Sequence, residues 1–479
     1  MNGTIRRTAI VIGLLFAALL INANVLAVLR DDQLRNRTAN GRLVIEQYDR
    51  ERGSIVVGRK AAAKSIETNG RLRYQRVYPD DSLYAAATGY YSLYGATGIE
   101  RTNNDLLSGV DDRLFVDRLT NLFSGRQSQG GNVVLTLDPD AQKAALQGLD
   151  GQRGAVVALD PRTGAVLALV SSPTFDPNPL ASHDPDVVTK AYNALDKDPA
   201  QPLLDRPIQQ VYPPGSLFKV VVAAAALSSG RYTPDTAVPA PASLDLPDTD
   251  KTINNYDNLP CFGGTATLTQ ALAISCNTAF AGVGLDLGDD ALRKQAEAFG
   301  FNKGYSIPLP VVPSIFPNNL DAPLTAQAAI GQYDVRATAT QMAMVAAGVA
   351  DQGLVMTPYL VAQEQAPDLS VLSATQPEVL SRAVSPSVAA DLTDMMVAVV
   401  SEGTGANAAI PGVTVAGKTG TAQDGRRPPH VWFMAFAPAQ DPKVAVAVIV
   451  ENGGRLGEQA TGGAVAAPIA RAVMKAVLQ

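Results

Sequence analysis

The feature that most constrains this chain is a set of three short strings in fixed order. Ser216-Leu217-Phe218-Lys219 is an S-x-x-K, Ser275-Cys276-Asn277 an S-x-N and Lys418-Thr419-Gly420-Thr421 a K-T-G-T. Each alone is weak: average composition gives about two chance S-x-x-K matches in a chain this long. The information lies in the combination, with first members 59 and then 143 positions apart.

The residue types fit one chemistry. A serine hydroxyl is a poor nucleophile unless a base takes its proton. A lysine three residues later on a helix lies on the same face, one turn away. Burial beside polar neighbours lets such a lysine shed its proton and act as that base. Pro213-Pro214-Gly215 stops the preceding chain, so Ser216 is expected to open a helix. Residues 220–227 are apolar on every side, which suits a helix through the middle of a domain. Backbone N–H groups at its N-terminus favour a developing negative charge.

Blander readings exist for each string alone. Ser216 reads as the cap of a buried helix. Ser275-Cys276-Asn277 reads as a helix end and a capped turn, and residues 418–422 as a glycine-bearing hairpin strand. Residues 413–417 lead into that strand, Asp424-Gly425 turns, and residues 433–436 and 444–450 read as the next two strands. His430 and Trp432 read as strand and rim residues, not catalysts, because a lysine base makes a histidine unnecessary.

At 479 residues the chain has room for two or three domains. A hydrophobic fraction of 46% against 18% charged fits a folded protein, and a net charge of −6 gives no reason to expect a nucleic-acid partner. With two histidines, two cysteines and no C-x-x-C or H-E-x-x-H, neither a metal nor another cofactor is expected.

Arg6 and Arg7 precede an apolar stretch over residues 9–29. About 20 such residues can cross a bilayer, and the arginines place the N-terminus in the cytoplasm. The expectation is a cytoplasmic tail (1–7), a transmembrane anchor (8–29) and the remainder outside the cell membrane. The alternatives are a signal peptide cleaved near Val25-Leu26-Ala27 and a buried soluble helix. In that compartment Cys261 and Cys276 can persist as a disulfide. Closing this 15-residue loop is worth about 3 kcal/mol in the chain-entropy model. It would tether the S-x-N to residues 258–264; two unpaired thiols are the alternative.

Residues 30–130 read as a first unit. In it, Arg52-Gly53-Ser54-Ile55 opens an apolar Val56-Val57, and Gly95-Ala96-Thr97-Gly98-Ile99-Glu100 runs on to Leu106-Leu107-Ser108-Gly109. Both read as glycine-bearing turns between short strands. The polar, glycine-rich run 124–131 reads as a linker. Beyond it come a strand (133–137), a helix begun by Asp138-Pro139-Asp140, a hairpin around Asp160-Pro161-Arg162-Thr163-Gly164, and a final alanine-rich helix (463–478). Residues 131–479 are thus expected to form a sheet flanked by helices, with a mostly helical insert around Ser275.

Over essentially its whole length the chain resembles the class B penicillin-binding proteins: anchor, Arg-Gly module, linker and the motif trio of serine β-lactamases and penicillin-binding proteins. Its short ectodomain and composition resemble the actinobacterial branch. The resemblance implies an α/β (α+β) fold, with a penicillin-binding/serine β-lactamase-like transpeptidase domain over 131–479. A non-catalytic pedestal or dimerisation-like module over 30–130 and one transmembrane helix precede it. A bifunctional class A enzyme is not expected, since too few residues precede Arg52 for a glycosyltransferase domain.

The implied activity is that of a D,D-transpeptidase, cross-linking peptidoglycan stem peptides through a serine acyl-enzyme that β-lactams trap. Ser216 would be the nucleophile, Lys219 the base, Ser275 a proton relay and Asn277 the holder of the substrate amide. Lys418, Thr419, Gly420 and Thr421 would form the substrate-binding strand, with the lysine and both threonines on the terminal carboxylate. The N–H groups of Ser216 and Thr421 would form the oxyanion hole. Implied partners are stem peptides on a lipid-linked precursor, β-lactams, the membrane, and a glycosyltransferase or a division or elongation complex.

The cysteine inside the S-x-N departs from the commoner aspartate or serine. A β-lactamase or D,D-carboxypeptidase is the first competitor, but residues 278–417 contain no E-x-x-L-N to activate water. A penicillin sensor or silent scaffold is the second. One span and three intact motifs speak against it.

Overall fold

In the computed structural model, which describes residues 2–24, 47–124, 127–425 and 427–479, the apolar runs between residues 154 and 450 become one sheet. Its five strands lie in the order Ala416–Asp424, Arg427–Ala437, Val444–Val450, Gly154–Leu159, Val166–Ser172. Every neighbouring pair is antiparallel. Side chains alternate between two cores. Val156, Ala158, Phe433, Val446 and Val448 pack with helices Pro139–Leu149 and Gly462–Leu478. Val157, Leu159, Trp432, Ala447 and Ile449 face helices Lys219–Ser228 and Ala339–Ala350. With both faces covered, the strands read as continuous apolar runs instead of alternating ones.

The flanking helices start where side chains satisfy their free N–H groups. Asp138 accepts from the N–H of Asp140 and Ala141, with Pro139 in the first turn. Thr461 caps the last helix in the same way. The expected helical insert is present as Leu268–Ala273, Asn277–Leu287 and Asp289–Ala298.

A second sheet crosses the position 130/131 expected to separate two units. Its order is Val371–Ala374, Val361–Gln365, Asn132–Leu135, Ile55–Val57, Lys60–Glu67, Tyr74–Val77. Asn132–Leu135 pairs in parallel with Ile55–Val57 and antiparallel with Val361–Gln365. The end of the expected linker is therefore packed backbone, not a free tether. A Cβ on Gly53 would lie 1.8 Å from the Gly131 carbonyl oxygen, and one on Gly130 1.8 Å from that of Leu107. These glycines permit close approach; they do not supply slack. Residues 125 and 126 of that run lie outside the described residues.

Within the N-terminal module the two glycine-bearing stretches meet. Arg52 Nε donates to Glu100 Oε2 at 2.7 Å and Arg76 Nε to Oε1 at 2.5 Å, with all three side chains buried. Burial alone would raise the Glu100 carboxyl; Arg76 and Arg52 outweigh it and hold the group below the usual carboxylate range. Residues Asn2–Asn24 form a helix. Among the described residues no helix is long and apolar enough to cross a membrane, and residues 25–29 of the expected span lie outside them.

Candidate active site

Ser216 lies in a 3-10 turn, Gly215–Phe218, that runs directly into the α-helix Lys219–Ser228. Gly215 has φ +53°, and a Cβ there would meet the Thr421 carbonyl oxygen at 2.7 Å. Only glycine lets the Ser216 turn lie this close to the K-T-G-T strand. Gly420 answers from the other side, where a Cβ would stand 2.4 Å from Leu217 Cδ1.

Trp432 is not a rim residue as expected. It is fully buried beneath the turn, and its Nε1 donates to the Pro213 carbonyl at 3.1 Å. His430 is also buried; its Nδ1 accepts from the Asn452 N–H, and its ring stands edge-on to Tyr212. Tyr212 in turn donates to Glu451, which pairs with the buried Arg206. These groups brace the residues leading into Ser216.

Lys219 is wholly buried. Its Nζ lies 2.7 Å from the Ser275 carbonyl oxygen, 2.7 Å from Asn277 Oδ1 and 3.3 Å from Ser275 Oγ. Among the described residues none of its hydrogen bonds goes to Ser216 Oγ. Burial, and then the charge of Lys418, push its proton affinity well below that of an ordinary lysine. A neutral amine has two N–H groups for the two good acceptors and one lone pair left over. That lone pair is what a general base needs.

The S-x-N is shaped by a helix end. Ser275 N–H donates to the Leu272 carbonyl and Cys276 N–H to that of Ala271, closing helix Leu268–Ala273. Ser275 adopts φ +64°, a left-handed conformation costing an L-residue roughly 1–2 kcal/mol. In return its carbonyl and hydroxyl both reach Lys219. Cys276 is buried and bonded to Cys261, with Cα atoms 6.3 Å apart, so the expected disulfide is present.

Two residues that no motif flags hold this arrangement. Asn255 Oδ1 accepts from the N–H of Asn277 at 3.0 Å and of Thr278 at 3.1 Å, capping helix Asn277–Leu287 from outside it. Asn255 Nδ2 donates to the carbonyls of Pro241 and Leu259. The available signal was its place between strand Thr252–Asn254 and Cys261. Thr404, beyond helix Pro386–Ser401, joins the second motif to the third. Its N–H donates to the Ala273 carbonyl at 3.1 Å, and its hydroxyl lies 2.6 Å from Thr419 Oγ1.

Lys418 is buried, and its Nζ donates to the Thr419 carbonyl at 2.9 Å. Burial lowers its pKa to about 7. Among the described residues no carboxylate pairs with it, so its charge is left for an incoming anion. Thr421 is half-exposed within the strand Ala416–Asp424 that passes Gly215. The structure thus brings Lys219, Ser275 and Asn277 into contact, and packs Gly420 and Thr421 against the Ser216 turn.

Residues 154–475 match the model of the penicillin binding protein transpeptidase domain, and residues 52–133 that of the penicillin binding protein A dimerisation domain. The chain is 48% identical to the peptidoglycan D,D-transpeptidase PbpA of Mycolicibacterium smegmatis, covering all of this chain and 99% of that protein. It is 46% identical to the protein of the same name from Mycobacterium tuberculosis, over 100% and 99% of the two. The solved structure of penicillin-binding protein A from M. tuberculosis, as a ceftriaxone acyl-enzyme complex, superposes with a TM-score of 0.88 at 46% identity. That match spans 91% of this chain and all of that one.

Proposed function

The chain belongs to the class B penicillin-binding proteins and is a serine-type peptidoglycan D,D-transpeptidase; from that premise we propose that Ser216, Lys219, Ser275 and Asn277 carry the reaction. Lys418, Thr419, Gly420 and Thr421 bind the donor peptide.

The donor's terminal carboxylate docks on Lys418 with the hydroxyls of Thr419 and Thr421. Asn277 holds the peptide amide. Ser216 Oγ attacks the penultimate D-alanine carbonyl and passes its proton to Lys219 Nζ. The charge that builds on the carbonyl oxygen falls to the N–H groups of Ser216 and Thr421. The proton then moves through Ser275 Oγ, 3.3 Å from Lys219 Nζ, to the departing D-alanine amine. This leaves an acyl-enzyme. The amine of a second stem peptide loses a proton along the same path, attacks the ester and releases Ser216. A β-lactam enters as the donor does. Its amine remains tethered after ring opening, so the site stays acylated.

The observation that carries this reading is the pair of buried lysines. One has its proton affinity lowered by burial and lies against Ser275 and Asn277, and the other has no acid partner among the described residues. The test is a fluorescent penicillin applied to the full chain, followed by mass spectrometry of the labelled peptide. The adduct should sit on Ser216 and vanish in Ser216→Ala with the melting curve unchanged. Labelling that persists in that variant would refute the assignment.

Residues 8–29 are proposed as a single membrane anchor with residues 1–7 cytoplasmic. In support, helix Asn2–Asn24 exposes Leu14, Leu15, Phe16, Leu19 and Leu20 beyond Arg6 and Arg7. Resistance to alkaline extraction and protease sensitivity from the outer face are the expected outcomes. Residues 30–130 are proposed as a non-catalytic module that positions the catalytic unit (131–479) and meets a glycosyltransferase or another member of a wall-building complex. Pull-down by the full chain, weakened by charge reversal on the module's exposed surface such as Arg59→Glu, tests this.

A further inference from the structure

A cavity of about 260 Å³ lies where the N-terminal module meets the catalytic unit, away from the serine. The module contributes Tyr90 and Arg101; the catalytic unit contributes Ser171, Phe175, Tyr192 and Asp205. Asp205 precedes the short helix Arg206–Gln209, where an aspartate would ordinarily cap the free N–H groups. Its side chain makes no such bond. Instead Asp205 lines the cavity, and its Oδ1 is buried without a hydrogen-bond partner. A carboxylate that forgoes a cap and stays unpaired costs stability unless something fills its place. Arg101, exposed and lining the same cavity, has no ion-pair partner among the described residues.

We propose that this junction cavity is a binding site for a small zwitterion of the amino-acid type, its ammonium on Asp205 and its carboxylate on Arg101. An unpaired guanidinium, and a buried carboxyl that gains its charge when a cation arrives, match on one cavity a ligand carrying both signs. Their separation onto the two parts of the protein makes the ligand a bridge between them. Tyr90 and Phe175, edge-to-face at 6.2 Å, and Tyr192 give an apolar wall for a short side chain. The volume is at the small end for ligand cavities, which suits an amino acid or dipeptide and not a glycan strand. Burial pushes the Asp205 carboxyl up to about 8, as befits a carboxylate without a cation, and an ammonium would bring it down. The wall also touches the support of the active site. Ser171 Oγ accepts from the Arg206 N–H, and Arg206 runs on to Glu451 and Tyr212.

The test uses the full chain pre-acylated with penicillin G, which keeps the probe out of the cleft at Ser216; the mass of the adduct reports separately on that assignment. D-alanine and L-alanine are titrated by calorimetry into this protein and into the variants Asp205→Asn and Arg101→Ala. The expected result is saturable binding of at least one probe at one site, weakened at least about tenfold by each substitution. Both substitutions leave the fold intact, as melting curves check: one is isosteric and the other is on the surface. Absence of saturable binding of both probes overturns the proposal. So does binding that survives either substitution.

Discussion

Replacing Asn255 by alanine separates positioning from simple stability. The side chain makes four strong contacts: Oδ1 takes the N–H groups of Asn277 and Thr278, and Nδ2 supplies the carbonyls of Pro241 and Leu259. After truncation Pro241 keeps the Thr278 hydroxyl, at 2.8 Å, and half-buried Asn277 can be reached by water. Leu259 is exposed, so water can take its carbonyl, and the buried Thr278 N–H is the group left stranded. At about 1–3 kcal/mol for one stranded buried group, with the lost cap of about 1 kcal/mol included, the loss is about 1–3 kcal/mol. The kinetic effect has another origin. Asn277 Oδ1 holds Lys219 Nζ at 2.7 Å, so drift of the helix start moves the base. A misplacement of a fraction of an ångström should slow acylation about 10–100-fold. The assay is the second-order acylation rate with a fluorescent penicillin, beside thermal unfolding of the same sample. Asn255→Asp, which retains the acceptor, should recover part of the rate. A variant that loses stability yet acylates within about twofold of the parent would refute the coupling of Asn255 to the lysine.

The pH dependence follows from the two buried lysines. Acylation by an anionic penicillin below saturation should fall as pH rises through about 7, where Lys418 loses its charge. The stability slope has the opposite sign. Between about 7 and 10 the unfolded chain keeps a proton on Lys418 that the folded chain has lost, so stability rises with pH there. Lys418→Met should remove the fall in rate and lessen the stability slope, to which buried Lys219 adds in the same sense, and an unchanged rate profile in that variant would count against Lys418 as the anion site. In the module, Glu100→Gln leaves two buried guanidiniums without their charge partner and should cost about 3–5 kcal/mol. Because the second sheet is shared, calorimetry should show one lowered transition; two separate transitions would show that the cores are independent.

The sheet was legible because Val156, Val157, Val446 and Val448 stand in runs with no polar interruption, and the helix at Pro139 because Asp138 announces its cap. The same uninterrupted pattern hid Trp432. When both faces of a strand are covered, alternation no longer distinguishes core from rim. The run ending at Gly131 misled for a related reason: glycine has one composition whether it gives slack or permits backbone contact. Asn255 and Thr404 were illegible because each acts by bonding backbone groups far away in sequence, Asn255 to Thr278 and Thr404 to Ala273. A single side chain reaching a distant N–H or carbonyl leaves no period and no spacing to read. Cys261 and Cys276 were readable because a disulfide needs two residues of one rare type, and the chain holds just two.

The two lysines also couple recognition to chemistry. Lys219 is surrounded by acceptors that would keep a proton on it, at roughly 1.5–3 kcal/mol for each bond to a charged group. Burial, and after it the positive charge of Lys418, win over them. A donor carboxylate seated on Lys418 cancels part of that charge. The proton affinity of Lys219 then rises, and the amine becomes a stronger base for the Ser216 proton. Carboxylate binding should therefore raise the acylation step itself as well as the affinity. Penicillin G and its methyl ester test this, with the acylation rate at saturation and the half-saturating concentration measured separately. The ester should lose in both. An ester that needs more reagent for half-saturation but acylates at the same limiting rate would show that Lys418 serves binding alone.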